Sequence, residues 1–137
     1  LTTISNSAFV NCTKLALTSL PSALISLGNL AFYNCSNLAI TSLPSNITTI
    51  SSQAFYSCKK IQISHIPASV TMLGSSAFYS CTGLTSITFN GTPTSIDSTT
   101  FNLCTNITSI RVPWSSGAIA GAPWGATNAT ITYDYMP

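Results

Sequence analysis

Apolar and polar positions return along this chain on a fixed cycle. Phe9, Phe32, Phe55, Phe78 and Phe101 stand 23 residues apart, and Cys12, Cys35, Cys58, Cys81 and Cys104 keep the same interval. Ala8, Ala31, Ala54 and Ala77 precede the first four Phe residues, and Thr100 precedes the fifth. Two more apolar columns run in phase, Ile4/Leu27/Ile50/Leu73/Ile96 and Leu15/Leu38/Ile61/Leu84/Ile107. Pro21, Pro44, Pro67 and Pro113 share a further column, in which Asn90 takes the remaining place. A period in the range of about 20–45 residues marks a solenoid, whose coils each bury an apolar side against the next.

Each unit predicts two short extended pieces. One is Leu24–Leu27 or Val70–Leu73; the other is Leu15–Leu17 in the early units and Leu84–Phe89 in the fourth. Between them, Ser-x-Ala-Phe-x-x-Cys is too short for a long helix and predicts a helical or 3₁₀ turn. The expected architecture is five coils of short parallel strands at 1–23, 24–46, 47–69, 70–92 and 93–112. With strands about 4.8 Å apart, the rod is roughly 24 Å long. Beyond 113 the period breaks, and Ala129–Tyr135 alternates like a last strand. Residues 113–137 read as a C-terminal cap, with Trp114 and Trp124 over the last coil and glycan stacking as their alternative use. The first coil starts without a comparable lid, which predicts that an upstream segment, a domain or another subunit covers it.

Composition narrows the function. Charged residues make up 4% of the 137, and Ser and Thr supply 42 hydroxyls. The 45% hydrophobic content is enough for a packed core, which excludes disorder. A net charge of +2 lacks the dense basic stripe of a nucleic-acid binder. The longest run without a polar side chain, 117–126, is about half of what a bilayer span needs. Hydroxyl surfaces are cheaper to desolvate than charged ones, so the chain suits contact with protein or carbohydrate.

The unit Leu-x-x-Ile-x-x-x-Ala-Phe-x-x-Cys-x-x-Leu, followed by a strand and Pro, resembles the BspA-like leucine-rich repeat over residues 1 to about 113. The tail, Val112-Pro-Trp-Ser to Ile131-Thr-Tyr-Asp-Tyr, is similar to the C-terminal ends of such repeats in gut bacteria and their phages. The resemblance implies an extracellular module for recognition or adhesion at a bacterial surface, in a phage receptor-binding element or on a virion. It also implies that the segment between Cys and Pro lies on the strand face. Units one to three depart from the family in reading Leu-x-Leu-x-x-Leu-Pro after Cys.

Candidate chemistry is sparse. The cysteines fall in a core column beside Phe, are odd in number and form no Cys-x-x-Cys pair, so buried free thiols are expected rather than disulfides or a metal site. Asp97 and Asp134 are the only acids, His65 has no acidic neighbour in its coil or column, and no Gly-x-Ser-x-Gly occurs. No catalytic residue, metal or cofactor is expected. Tyr33, Tyr56 and Tyr79 form a second aromatic ladder, suited to stacking or to presenting an edge to a partner. The candidate ligand-binding residues are Lys14, Lys59, Lys60, His65 and Arg111, all between Cys and Pro. The expected partner is a protein or glycan at a cell surface, with no nucleic acid and no membrane insertion. The alternative is a structural building block of a virion or fibre that docks through its open first coil.

Overall fold

The computed structural model describes residues 1–136. Its strands are short: β1 Thr3–Ile4, β2 Ser26–Leu27, β3 Thr49–Ile50, β4 His65–Ile66, β5 Met72–Leu73, β6 Ser86–Phe89, β7 Ser95–Ile96, β8 Ser109–Arg111 and β9 Thr130–Thr132. They form two parallel sheets, β1-β2-β3-β5-β7 and β4-β6-β8-β9, one on each side of a coiled path. In the first sheet every strand pairs with its equivalent 23 residues on, so Ile4, Leu27, Ile50, Leu73 and Ile96 make one inward ladder. The second sheet continues past 113, because β9 pairs in parallel with β8.

The segment expected to be helical is not a helix. Within it, every second N–H bonds inside the coil in an i→i−3 turn, as from Ala31 to Gly28, Tyr33 to Leu30 and Cys35 to Phe32. The N–H groups between them donate to the next coil, from Leu30 to Ser52, Phe32 to Ala54 and Asn34 to Tyr56, at 3.0, 2.8 and 2.7 Å. Left-handed backbone at Leu30 and Asn34 aims these donors outward (φ 58 and 56), and Ser7, Asn11, Gln53, Ser57, Ser76 and Ser80 repeat it. A 3₁₀ run would close all of these bonds within one coil and leave the neighbour unbound. The turn is therefore a third line of inter-coil bonding.

The Phe column forms the centre of the core. Phe32, Phe55, Phe78 and Phe101 are fully buried, and successive rings from Phe9 to Phe101 stack in parallel with centroids 5.2 to 5.6 Å apart. Beside them, the thiols of Cys35, Cys58, Cys81 and Cys104 donate to the Phe carbonyl of the preceding coil at 2.8–3.0 Å. All five cysteines are free. Thr100 fits the alanine column because its hydroxyl donates to the Asp97 and Gly74 carbonyls. Hydroxyls also stitch the surface: Thr48, Thr71 and Thr94 each donate to a carbonyl one coil back.

The second sheet departs from the sequence reading. Leu15–Leu17 carries no strand, and among the described residues this sheet starts only at β4. In the second and third coils the inward residues are Leu38/Ile40/Leu43 and Ile61/Ile63/Ile66; in the fourth and fifth they are Leu84/Ile87/Phe89 and Ile107/Ile110/Val112. The middle inward residue moves by one position, so strand alternation, with its period of two, changes phase between coils three and four. Early coils touch through single bonds, Ala39 N–H to Leu17 and Gln62 N–H to Ile40, in place of a ladder.

Beyond β8, Trp124 is fully buried and its Nε1–H donates to the Ala120 carbonyl at 2.9 Å. Trp114 meets Phe89 and Trp124 edge-on, with centroids 5.2 and 5.9 Å away. Both indoles are thus core packing, with no ring face available for stacking a ligand. The Trp114 Nε1–H is buried without a hydrogen-bond partner.

Three outcomes follow from this packing. Phe55→Ala removes a fully buried ring between two stacked neighbours and should lower stability by about 3–5 kcal/mol; a loss below ~1 kcal/mol in urea denaturation would contradict the core assignment. Burial pushes the Cys58 and Cys104 thiols up to about 12 from an ordinary 9.0, and Cys35 and Cys81 in the same direction. Because the folded values lie above the unfolded ones, this contribution to stability is whole below pH 9 and is lost as pH rises toward 12. Under reducing conditions the urea midpoint should hold from pH 7 to 9 and then fall; a constant midpoint to pH 10.5 goes against it. A thiol reagent at pH 8 should label half-buried Cys12 in the native protein and the other four only on unfolding.

Candidate interaction surface

The side of the solenoid between the Cys column and the Pro column carries every residue singled out for binding. Lys14, Lys59, Lys60, His65 and Arg111 are all exposed. The second sheet sets two of them in one ladder: His65 pairs with Thr88, Thr88 with Arg111, and Arg111 with Thr132. At parallel-strand spacing, His65 and Arg111 are roughly 10 Å apart. Thr88 is buried between them. The Arg111 guanidinium lies over the Tyr135 ring, 5.5 Å from its centroid. His65 Nδ1 and Ser64 Oγ are 2.9 Å apart, which holds the imidazole in one orientation.

The lysines form a separate group. Lys59 and Lys60 occupy the turn after Cys58, and Lys14 occupies the equivalent turn after Cys12. Asn37 stands between Lys14 and Lys60 and donates its side-chain amide to the Thr13 carbonyl at 2.7 Å. Asn106, in the same column, repeats this bond to Thr82, and Asn128, one position off it, bonds Thr105. Gly83 follows Lys60 in the column. A Cβ there would lie 2.5 Å from the Ile61 carbonyl oxygen, so coil four can only pack this closely without a side chain. His65 lies five positions after Lys60, at most about 18 Å of extended chain. The surface therefore holds two cationic groups joined by the run 61–64.

Both carboxylates have partners elsewhere. Asp97 accepts from the Thr99 N–H and hydroxyl at 2.9 and 2.6 Å, closing a turn beside the first sheet. Asp134 accepts from Ser115 Oγ at 3.0 Å. The Asp134 N–H also bonds the Trp114 carbonyl, so the last coil brings one acid to the end of the second sheet. Four Lys and Arg against two Asp leave this side with the chain's excess positive charge. Among the described residues no three His, Cys, Asp or Glu side chains come together as metal ligands.

Tyr33, Tyr56 and Tyr79 stack with centroids 4.6 and 4.4 Å apart, half-buried along the turn. Removal from water, then the neighbouring Tyr79 and Tyr33, raise the Tyr56 phenol above its ordinary value. Tyr56 spends both faces on its neighbours, and Tyr33 and Tyr79 one face each.

One feature of this side was missed in the sequence. A depression of about 300 Å³ opens where the strand phase changes, bordered by Thr41, Ser42, Ser45, Ser64, His65 and Asn90. Leu43 and Pro67 add apolar lining. The signal that marks it is the moved inward position between Ile63 and Ile87, together with Asn90 in a proline column.

The BspA type Leucine rich repeat region family matches residues 2–122 in six copies. Among solved structures, the leucine-rich repeat protein of T. pallidum is 25% identical, with a TM-score of 0.76 over 98% of this chain and 64% of its own. A leucine-rich repeat protein from Bacteroides ovatus is 26% identical, with a TM-score of 0.54 over 81% of this chain and 35% of its own. The chain thus spans less than two thirds of the length of either protein. No curated protein matches it. The 23-residue period, the stacked Phe and Cys columns and the two parallel sheets agree with these matches: the chain belongs to the BspA-type leucine-rich repeat family.

Proposed function

We propose that this chain is a non-enzymatic recognition module that works outside the cell, at a bacterial surface or in a phage receptor-binding element. Leucine-rich repeat domains generally mediate protein interactions, and BspA-type repeats are commonly surface-associated in bacteria. The reading rests above all on the cations of the second-sheet side, which stand exposed while both carboxylates are engaged by Thr99 and Ser115. Such a strip favours a partner, protein or glycan, that carries carboxylate or sulfate groups. Lys14, Lys59 and Lys60 meet one end of it, and His65 and Arg111 the other. Between them, exposed hydroxyls and amides supply hydrogen bonds without the desolvation cost of further charges.

A structural building block of a virion or fibre is the second reading, favoured by the 4% charged content, since a surface of hydroxyls lies against neighbouring protein at little desolvation cost.

Binding to immobilised mucin and to bacterial cell-wall polymers separates the two. The combined Lys14→Ala, Lys60→Ala and Arg111→Ala variant should bind at least tenfold more weakly, about 1.4 kcal/mol, with an unchanged melting temperature. A molecular mass that rises with concentration and ignores these substitutions, without polymer binding, supports the structural role and overturns the recognition role.

A further inference from the structure

We propose that the depression at the phase change between coils three and four is a binding site for a neutral saccharide. The proposal deepens the recognition reading and rests on it for the idea that this side meets a partner, but it uses neither the lysines nor Arg111.

Three departures from the 23-residue pattern meet at this place. The first is the phase change itself. Thr41 and Ser42, and one coil later Ser64 and His65, are consecutive exposed residues; at the matching place in coil four, Ile87 and Thr88 are buried. Two outward rows therefore end against a lower surface and leave the opening. The second is the only histidine of the chain, which stands in the lower row with its ring held by Ser64. With Nδ1 so engaged, Nε2 is left for an outside partner. The third is Asn90 in the proline column. Its backbone N–H donates to the Ile66 carbonyl at 3.0 Å, which explains why proline is absent. Any other residue would supply that N–H. The backbone thus leaves the amide side chain, at the rim of the depression, unexplained.

The lining has a definite chemistry. Elsewhere several hydroxyls and amides of this solenoid join coils, as at Thr48, Thr71, Thr94, Asn37 and Asn106. Here the Ser64–His65 contact is the only hydrogen bond of a lining side chain among the described residues, so Thr41, Ser42, Ser45 and Asn90 keep their capacity. Hydroxyls both donate and accept, and the amide does the same through separate atoms. That match suits a ligand whose own groups are hydroxyls. Leu43 and Pro67 provide apolar surface for the C–H face of a sugar ring. No Lys, Arg, Asp or Glu borders the opening, so an anionic ligand gains nothing there. The volume of about 300 Å³ lies at the lower end for small-ligand clefts.

Because His65 is the sole histidine, its ring resonances report on this site directly. We would titrate the folded chain with cellotetraose, maltotetraose, mannotetraose and chitotetraose while following the imidazole signals by NMR. At least one sugar should shift them saturably. Asn90→Ala and Ser42→Val, both at exposed positions, should each weaken that titration at least fivefold with native circular dichroism retained. The Lys14→Ala, Lys60→Ala, Arg111→Ala variant should leave it unchanged. The proposal is overturned if none of the four sugars moves the ring, or if the affinity is the same in Asn90→Ala and Ser42→Val. A ring that responds only to poly-glutamate, and only when the lysines and Arg111 are present, also overturns it while leaving the cationic reading standing.

Discussion

Each coil of this solenoid must meet the backbone groups of its neighbour at one fixed spacing, and this requirement organises everything else. Strands of two to four residues supply few ladder bonds. The turn makes up the deficit by sending every second N–H to the next coil. That geometry uses left-handed backbone at two places in each of the first four coils, which costs about 1–2 kcal/mol for a residue such as Leu30 and less for Asn34. The cost is offset because an unpaired buried N–H costs a comparable amount and would recur in every coil.

The inward columns follow from the same repetition. Once the backbone register is constant, each side chain sits over its equivalent, so a ring stacks on a ring and a thiol lies beside the carbonyl of the coil before it. Cysteine suits its column because it is small and apolar, and its weak S–H donor reaches the Phe carbonyl. At Thr100 a hydroxyl enters the alanine column where the Asp97 and Gly74 carbonyls receive it.

The low charge of the chain also has a structural origin. Hydroxyl and amide side chains are the right length to bond a carbonyl one coil away, and this chain uses them as surface stitches. A coil spacing near 4.8 Å brings like residues together, and like charges stacked at that spacing would repel. Within the lysine column, Lys14 and Lys60 stand two coils apart, with Asn37 between. The flank of the second sheet that results is regular, carries the few cations of the chain and is interrupted at one phase change.

Period, columns and solenoid class were determined by the sequence alone, because burial recurs with every coil and shows directly in the spacing of Phe, Cys, Ile and Leu. The free state of the thiols was equally legible from their place beside Phe. The turn was not, since i→i−3 bonds and a Ser-x-Ala-Phe pattern look the same locally whether the intervening N–H groups close within the coil or reach the next. The late start of the second sheet was hidden for a similar reason: Leu15 and Leu17 alternate like a strand, but a strand exists only where a neighbour alternates in the same phase. The ladder that joins His65 to Arg111, and the depression bordered by Ser42 and Asn90, depend on how one coil lies against another. Only the tertiary structure decided them, because a side chain's inward or outward sense is written in its own segment and its partner is not.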